Sequence, residues 1–420
     1  MRILWLCNSI MPCAAEVLGV GTSKPESWIT GVYEQIKDDE NYELIYLFPC
    51  KDKQYNQKIG NATFISYTQK KPLKFEKKQI TEFRKILSEQ SPDVIHIFGT
   101  EYAHTYAMTK AAESLGMLGR VVINIQGLVS LYSKHYYAFL PQKCIHRCTL
   151  RDFVRHNNIY NQRKNFEKLG VYEEKSIELA GNVIGRTDWD FACAKRINPK
   201  VNYYALNETL RKPFYENRWD IEKIERHSIF VTQCHYPLKG MHLMLEAMVD
   251  ILKQYPDAHL YTTGNSPLNL SFRKKLRQTY YRRYLGRLIK KYNLEKHITF
   301  LGFLNENQMC ERYLKTNVFV SPSSIENSPN SVGEAMRLGV PTVTSDVGGV
   351  KTMLAHEKEG YIYQADAPYM LARCVMNIFE NDSLALKFSE NAIKKAAVTH
   401  SPKDNLKRQL EIYDIIANKD

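Results

Sequence analysis

The chain has 420 residues, a length typical of two or three domains. Its composition, 44% hydrophobic and 25% charged, is that of an ordinary globular protein and excludes a disordered or collagen-like chain. The net charge of +13 is concentrated in two segments, because residues 51–78 hold eight lysines against two acids and residues 273–292 hold nine lysines and arginines with no acid. Such local charge indicates a partner or a solvated face.

No apolar run in the sequence approaches the ~20 residues that a membrane-spanning helix needs. Residues 1–7 resemble the start of a signal peptide, but their apolar run ends before Asn8, short of the ~7–15 residues of a secretory segment, so we expect a first β-strand. Nine cysteines at irregular spacing indicate reduced thiols and a cytoplasmic protein.

Short β-rich runs alternate with helical stretches in both halves of the chain. In the first half the pattern predicts strands over residues 3–7, 42–48, 94–98, 121–125 and 177–183, with helices over 80–89 and 103–115. After a polar stretch it predicts strands over 228–232, 259–263, 298–301, 318–321 and 340–344, with helices over 241–255, 334–338 and 403–417. This rhythm is typical of parallel sheets with helices on both faces.

These elements predict an α/β protein of two doubly wound, Rossmann-like domains, residues 1–205 and 225–395, joined by a hinge at 206–224. The last helix, 403–417, is a candidate to pack back on the first domain. Because doubly wound sheets bind ligands at the carboxyl ends of their strands, we expect the two domains to face each other across a ligand-binding cleft.

The strongest local signal is the segment 321–336, which runs from a strand through a small, polar loop into a helix. Free N–H groups and the positive end of the dipole favour an anion at such a helix start. Glu326 and Glu334 would repel a bare phosphate, but they suit the hydroxyl groups of a sugar or a ribose. The segment therefore indicates a ligand with a phosphate and a polyol; the alternative is an ordinary loop with a helix cap at Ser331.

Further motifs surround this segment. They are Lys239-Gly240 upstream, at the turn into a helix, and Gly339-Val-Pro341 and Ser345-Asp-Val-Gly348-Gly349 downstream. Together with Glu326 and Glu334, which are separated by seven residues, they resemble the nucleotide-sugar-binding half of glycosyltransferase family 4 over nearly the whole second domain. The resemblance implies the GT-B fold, with an acceptor-binding first domain and a donor-binding second domain.

The resemblance also implies roles for single residues. Glu326 would accept hydrogen bonds from the donor sugar hydroxyls, and Lys239 would neutralise the diphosphate leaving group, a task suited to a point charge. The other implied donor-binding residues of this domain are Glu334 at the ribose, Asn330 and Ser331 at sugar and phosphate, and Gly264 and Phe303 at the base.

The sequence departs from the family pattern at two places. Gln233-Cys234 stands where a Gly-Arg pair is common, so one cationic contact to the diphosphate is missing or comes from elsewhere; Arg186 is a candidate. Gln126 stands where many members have a histidine, which argues against a histidine-assisted mechanism, although Gln126 is still expected to contact the donor sugar as part of the catalytic site. A Gly-x-Gly loop ending at Gly21 is a further, weaker candidate for diphosphate binding.

Other candidates have equally good structural explanations. The tyrosines of residues 132–137 either stack on a sugar acceptor or pack their loop against the sheet, and His96 is either functional or a buried structural histidine. Asp188-Trp-Asp190 matches the D-x-D metal signature of the other glycosyltransferase fold, but the paired-sheet rhythm and Glu326 favour donor binding without a metal. We therefore expect no metal and no other cofactor.

The basic segment 273–292 has three interpretations. Its apolar residues recur at about every fourth position, which predicts an amphipathic surface helix with its Tyr/Leu stripe packed inward. The alternatives are contact with anionic lipid or with nucleic acid. For residues 51–78, membrane contact is favoured, because a lipid-linked acceptor must be reached from the bilayer surface.

The sequence therefore predicts a retaining hexosyltransferase that uses a nucleotide diphosphate sugar and a glycan or lipid-linked glycan acceptor, in the biosynthesis of a surface polysaccharide such as a capsule. We expect it in the cytoplasm, with peripheral attachment to the inner membrane face as one candidate location and no nucleic-acid partner. The alternatives are a sugar-nucleotide epimerase of the same fold and, from another class, a basic nucleic-acid-binding protein.

Overall fold

The computed structural model describes residues 1–20, 28–51, 53–69 and 73–418. The chain forms two compact units. The first unit consists of Met1–Leu131, Phe166–Arg211 and His400–Asp420, and the second of Tyr132–Asn165 and Lys212–Thr399. The sequence predicted domains over 1–205 and 225–395. The structure differs in two ways: the segment 132–165, expected in the first domain, belongs to the second unit, and the first unit extends to Arg211 instead of ending at 205.

The strands of the described chain are, in order, β1 (Arg2–Leu6), β2 (Glu43–Cys50), β3 (Asn56–Ile59), β4 (Ala62–Thr68), β5 (Val94–Phe98), β6 (Val121–Asn124), β7 (Asn182–Gly185), β8 (Asn202–Ala205), β9 (Glu225–Val231), β10 (His259–Thr262), β11 (Ile298–Phe300), β12 (Thr316–Ser321), β13 (Thr342–Ser345) and β14 (Tyr361–Tyr363).

The α-helices are α1 (Pro12–Val17), α2 (Trp28–Ile36), α3 (Lys78–Gln90), α4 (Ala103–Ser114), α5 (Val129–His135), α6 (Gln142–His146), α7 (Leu150–Arg155), α8 (Ile159–Leu179), α9 (Asp188–Ile197), α10 (Pro213–Glu216), α11 (Met241–Gln254), α12 (Phe272–Leu276), α13 (Tyr280–Lys291), α14 (Glu306–Leu314), α15 (Asn330–Leu338), α16 (Val350–Met353), α17 (Pro368–Glu380), α18 (Asp382–Thr399) and α19 (Pro402–Ala417). Short 3-10 turns lie at Leu118–Arg120, Ile221–Lys223 and Pro237–Lys239.

The first unit is built on an eight-stranded sheet in the order β3-β4-β2-β1-β5-β6-β7-β8. Its strands run parallel except β3, which pairs antiparallel with β4 at the edge. Every residue of β5 is buried, as expected for a strand with helices over both faces. The helix α19 closes one face, where the Trp5 indole N–H of β1 donates to the Tyr413 hydroxyl at 3.0 Å.

The second unit is built on a six-stranded, fully parallel sheet in the order β11-β10-β9-β12-β13-β14. Its two central strands, β9 and β12, are neighbours in the sheet but are not consecutive in the chain, so the winding direction reverses between them. Ligands bind such sheets at the carboxyl ends of the strands beside this reversal. The loops that follow β9, β12 and β13 therefore mark the expected site of this unit.

Most predicted elements are confirmed, and two are wrong. The predicted strand 177–183 is helical up to Leu179, and β7 begins at Asn182; Ile177 belongs to a helical face of α8, on which Leu169, Glu173 and Ser176 are also buried. The single helix predicted over 273–292 is divided into α12 and α13, because the Thr279 side chain caps a new helix by accepting from the amide of Arg282.

Candidate functional site

Lys239 and Glu326 meet at the carboxyl ends of β9 and β12 in the second unit. The Lys239 ammonium lies 2.5 Å from Glu326 Oε1, and the same oxygen accepts a hydrogen bond from the Ser323 hydroxyl at 2.7 Å. The Glu326 side chain is 9% exposed and the Lys239 side chain 20%. The structure thus joins two residues 87 positions apart into one ion pair, whose cationic end keeps some access to solvent.

Two glycines hold the loops that carry this pair. Gly240 has φ +65°, and a Cβ there would lie 1.7 Å from the carbonyl oxygen of Pro322. Gly348 has φ +49°, and its Cβ would lie 1.9 Å from the carbonyl oxygen of Glu326, which accepts a hydrogen bond from the Gly349 amide at 3.1 Å. Both positions require glycine for conformation and for space. The glycine motifs therefore fix where Lys239 and Glu326 stand.

The ion pair keeps Lys239 charged although it is largely buried. Burial acts to lower the pKa of Lys239, but the Glu326 carboxylate outweighs this and, with a contribution from Tyr236, raises that pKa above its ordinary value. A protonated lysine at the end of a central strand offers three donors to an anion. The arrangement can stabilise negative charge that develops on a leaving group.

The helix α15 begins beside Glu326. Its N-cap residue is Pro329, whose side chain forms no cap hydrogen bond in the described chain, so the alternative of a cap at Ser331 is wrong. Asn330 and Ser331 form the first turn and are half-buried, and Glu334 follows with 5% exposure. The Ser331 carbonyl is held by the Tyr313 hydroxyl at 3.0 Å. A helix start without a side-chain cap can present its N–H groups to an anion.

Gly264 and Phe303 lie at the ends of the neighbouring strands β10 and β11. Gly264 has φ +102° and forms a two-way backbone bridge with Gly302, whose carbonyl accepts from the Gly264 amide at 2.6 Å. Next to this bridge the Phe303 ring is 77% exposed, and its centroid lies 5.7 Å from that of His235. Phe303 and His235 line a pocket of about 290 Å³. The structure thus places Phe303 at this pocket, and Gly264 in the turn directly before Asn265, which also lines it.

Gln126 and Arg186 lie together in the first unit, at the carboxyl ends of β6 and β7. Both contact Glu208: Gln126 Nε2 donates to its Oε1 at 2.6 Å, and Arg186 Nη1 lies 2.8 Å from its Oε2. The Arg186 and Glu208 side chains are 4% and 2% exposed. Arg186 is therefore already paired with a carboxylate, which weakens its candidacy as the missing cationic contact to a diphosphate.

Sequence reasoning missed the carboxylates around this cluster. Glu101 follows β5, and Glu173 of α8 accepts hydrogen bonds from the Thr100 hydroxyl at 2.6 Å and the Ser130 hydroxyl at 2.7 Å. Burial is the main cause that raises the pKa of Glu101 to about 7, and the neighbouring carboxylates Glu173 and Glu208 add to it, while a hydrogen bond from its own amide and Arg186 act in the opposite direction. The signal in the sequence that could have found Glu101 is its position, three residues after the predicted strand 94–98.

Several candidates turn out to be structural. His96 is fully buried, its Nδ1 lies 2.6 Å from the Tyr413 hydroxyl, and burial lowers its pKa to about 3. Asp190 forms a capping box with Thr187 and accepts from the Tyr203 hydroxyl at 2.5 Å, so it serves the start of α9. Tyr136 is buried and donates to Gln162. Gly21 lies outside the described residues.

In the described ranges, no group of three or more His, Cys, Asp or Glu side chains is placed to hold a metal ion. None of the nine cysteines, all of which lie in the described ranges, forms a disulfide. None of the helices in the described part of the chain is long and apolar enough to cross a bilayer.

In α13, Tyr281, Leu285 and Ile289 are buried, so the inward-packed interpretation of that helix is confirmed.

The segment that carries the Lys239–Glu326 pair has known relatives. Residues 212–395 match the family model of glycosyl transferases group 1. The chain is 28% identical over 222 residues to the putative glycosyltransferase YtcC of Bacillus subtilis, covering 52% of each chain. The chain thus spans about half the length of the curated relatives it matches.

Solved structures resemble the chain over its whole length. Sucrose-phosphate synthase from Thermosynechococcus elongatus matches with a TM-score of 0.69 at 15% identity, covering 99% of both chains. Anabaena Alr3699/HepE, in complex with UDP and glucose, matches with a TM-score of 0.68 at 14% identity, again over 99% of both chains. At these identities the likeness shows the fold, which is GT-B, so the fold prediction is confirmed.

Proposed function

We propose that the protein is a glycosyltransferase that moves a hexose from a nucleotide diphosphate sugar to a hydroxyl group of a glycan. The observation that carries the proposal is the Lys239–Glu326 ion pair beside the start of α15, in the segment that matches the family model. This arrangement supplies a cation and N–H donors for phosphate, and carboxylates for hydroxyl groups. The Anabaena neighbour in complex with UDP and glucose supports a nucleotide-sugar donor.

In the proposed reaction Lys239 binds the diphosphate and stabilises the charge that develops on it as the bond from the anomeric carbon to the phosphate oxygen breaks. Glu326 accepts hydrogen bonds from the sugar hydroxyls, and Glu334 from the ribose. The acceptor oxygen bonds to the anomeric carbon on the same face, and its proton passes to the departing phosphate oxygen. Retention follows, and catalysis rests on positioning and charge stabilisation.

We further propose that donor binding needs no metal. Support comes from the chemistry of the donor set: Lys239 supplies the positive charge that a divalent cation supplies elsewhere, and Asp190 of the D-x-D motif is engaged in a helix cap. The second unit is then the donor-binding unit. The first unit is the acceptor-binding unit. Gln126 is its contact to the donor sugar, and the carboxyl groups of Glu101, Glu173 and Glu208 accept hydrogen bonds from hydroxyl groups.

The proposed acceptor is a glycan or lipid-linked glycan of a surface polysaccharide, reached from the cytoplasmic face of the membrane. The support is the short helix α12, where Phe272 is 74% exposed and Leu276 42% exposed, next to Arg273, Lys274 and Lys275. Exposed apolar side chains beside basic ones are typical of contact with anionic lipid. Binding to anionic vesicles tests this part separately from transfer.

The experiment is a thermal-shift screen of nucleotide sugars on the full chain, followed by transfer assays with the donors that bind. Lys239→Ala and Glu326→Gln are each expected to abolish transfer. The matched control is Lys351→Ala, because Lys351 forms an ion pair with Asp346 in the same unit but is 68% exposed. Full transfer by both site variants overturns the proposal, and turnover of a nucleotide sugar without acceptor indicates an epimerase instead.

A further inference from the structure

The pocket beside Phe303 has an unusual charge for its position. It lies at the carboxyl ends of β9, β10 and β11, and Arg151, Arg277 and Arg282 line it together with His235 and Phe303. Among the lining residues in the described chain none is acidic. Arg151 forms an ion pair with Asp152. The guanidinium groups of Arg277 and Arg282 repel each other across this pocket of about 290 Å³ unless an anion lies between them.

Arg282 is half-buried, whereas Arg277 is exposed. Arg282 Nη2 donates to the Ser266 carbonyl at 2.5 Å, while its Nε is buried without a hydrogen-bond partner among the described residues. A guanidinium group only donates hydrogen bonds. Leaving such a donor buried and unpaired is unfavourable, so an acceptor oxygen that enters the pocket gains a contact that the protein itself does not satisfy.

The start of α13 holds Arg282 in place. Asp152 of α7 accepts hydrogen bonds from the Tyr280 amide at 2.7 Å and from the Thr149 amide at 3.3 Å, and it pairs with Arg151 at 3.2 Å. The Thr149 hydroxyl in turn donates to the Gln278 carbonyl at 2.8 Å. The buried Asp152 carboxylate thus compensates the charge of Arg151 and holds the start of α13, so the remaining positive charge of the pocket comes from Arg277 and Arg282.

Arg282 also adjoins the turn that leads to Lys239. Arg282 lines the same pocket as Cys234 and His235 of the turn after β9. Burial lowers the pKa of His235, and the charge of Arg282 lowers it further. At this point of the turn the chain has Cys234, which is neutral and buried. The cation beside the turn therefore comes from α13.

We propose that this pocket binds a phosphate-class anion and that Arg282 is a binding residue for it, supplementing Lys239. The proposal rests on the proposed function in one respect, because the expected source of the anion is the diphosphate of the donor. The other source is a phosphate group on the acceptor. Guanidinium groups pair with phosphate oxygens in two-pronged geometry, and Phe303 offers a ring face to a group attached to that phosphate.

The test measures binding to the full chain by calorimetry with UDP, ADP, GDP, the corresponding nucleosides and inorganic pyrophosphate. Arg282→Ala is expected to weaken binding of the diphosphate that binds best by about 10- to 100-fold, since charge-assisted hydrogen bonds contribute about 1.5–3 kcal/mol. Nucleoside binding is expected to stay unchanged. Arg282→Lys restores part of the affinity, because charge is kept without the planar donor set.

Arg283→Ala is the matched control, because Arg283 is the next residue of α13 but does not line the pocket. Unchanged diphosphate affinity in Arg282→Ala, or equal weakening of nucleoside binding, overturns the proposal. If no nucleotide binds but pyrophosphate binds in an Arg282-dependent manner, the pocket proposal stands and the donor proposal fails. If transfer proceeds and Arg282→Ala binds normally, the donor proposal stands and the pocket proposal fails.

Discussion

Replacing Glu101 by glutamine is expected to stabilise the protein at alkaline pH and not at acidic pH. In the folded first unit, burial and two neighbouring carboxylates, Glu173 and Glu208, raise the pKa of Glu101 from 4.5 to about 7. A raised pKa means that folding favours the protonated carboxyl group. Its contribution to stability is therefore complete below pH 4.5 and is lost as the pH rises through 7.

The magnitude follows from the size of this shift. One pKa unit corresponds to about 1.36 kcal/mol, so the change of Glu101 from 4.5 to about 7 amounts to at most about 3 kcal/mol of unfolding free energy. At pH 8.5 the wild-type chain must keep a buried negative charge beside Glu173 and Glu208, whereas Glu101→Gln does not. The variant is therefore expected to be the more stable protein at pH 8.5 and to lose this advantage at pH 4.5.

The assay is urea denaturation of both proteins at pH 4.5 and 8.5, with the difference in unfolding free energy compared between the two conditions. Glu174→Gln serves as the control, because Glu174 is exposed on α8, next to Glu173 in the chain. A Glu101→Gln difference that stays constant across this pH range would refute the reasoning, since it would mean that Glu101 titrates alike in the folded and unfolded chains.

Two further substitutions test the packing around the sites. Gly348→Ala places a methyl group against the Glu326 carbonyl at a positive φ, so it is expected to displace the loop and reduce transfer far more than it lowers the melting temperature; equal transfer rates contradict this. Tyr413→Phe removes the hydroxyl that contacts Trp5 and His96, which is expected to lower the unfolding free energy by about 1–3 kcal/mol, measured by denaturation, with no change in donor binding.

The sequence alone predicts the second unit well because its signals are local. A strand, a glycine at positive φ and a helix start follow one another within a few residues, as around Gly240 and Gly348. Their spacing then fixes where Lys239 and Glu326 lie at the carboxyl ends of a parallel sheet. Even so, the ion pair itself joins residues 87 positions apart, and only the proximity of β9 and β12 in the folded sheet brings it about.

The first unit was harder to predict because its polar cluster forms from distant residues. Gln126 and Glu208 are 82 positions apart, and Thr100 and Glu173 are 73 apart. None of these residues has a neighbour in the sequence that signals its partner. The assignment of segment 132–165 to the second unit depends on packing in the same way, through contacts such as Asp152 to the amide of Tyr280, 128 positions away.

The charged groups at the carboxyl ends of the two sheets differ in kind, and this difference matches the division of labour that we propose. The second unit has Lys239, Arg277 and Arg282 as well as Glu326 and Glu334, a combination that suits a diphosphate joined to hydroxyl-bearing groups. In the first unit the carboxyl groups of Glu101, Glu173 and Glu208 lie around the cation Arg186. Carboxylate oxygens suit hydroxyl groups, because they accept the hydrogen bonds that hydroxyl groups donate. The net charge of +13 conceals this contrast, because it counts exposed and buried charges alike. Burial, which decides which charges must find partners, therefore indicates function more directly than net charge does.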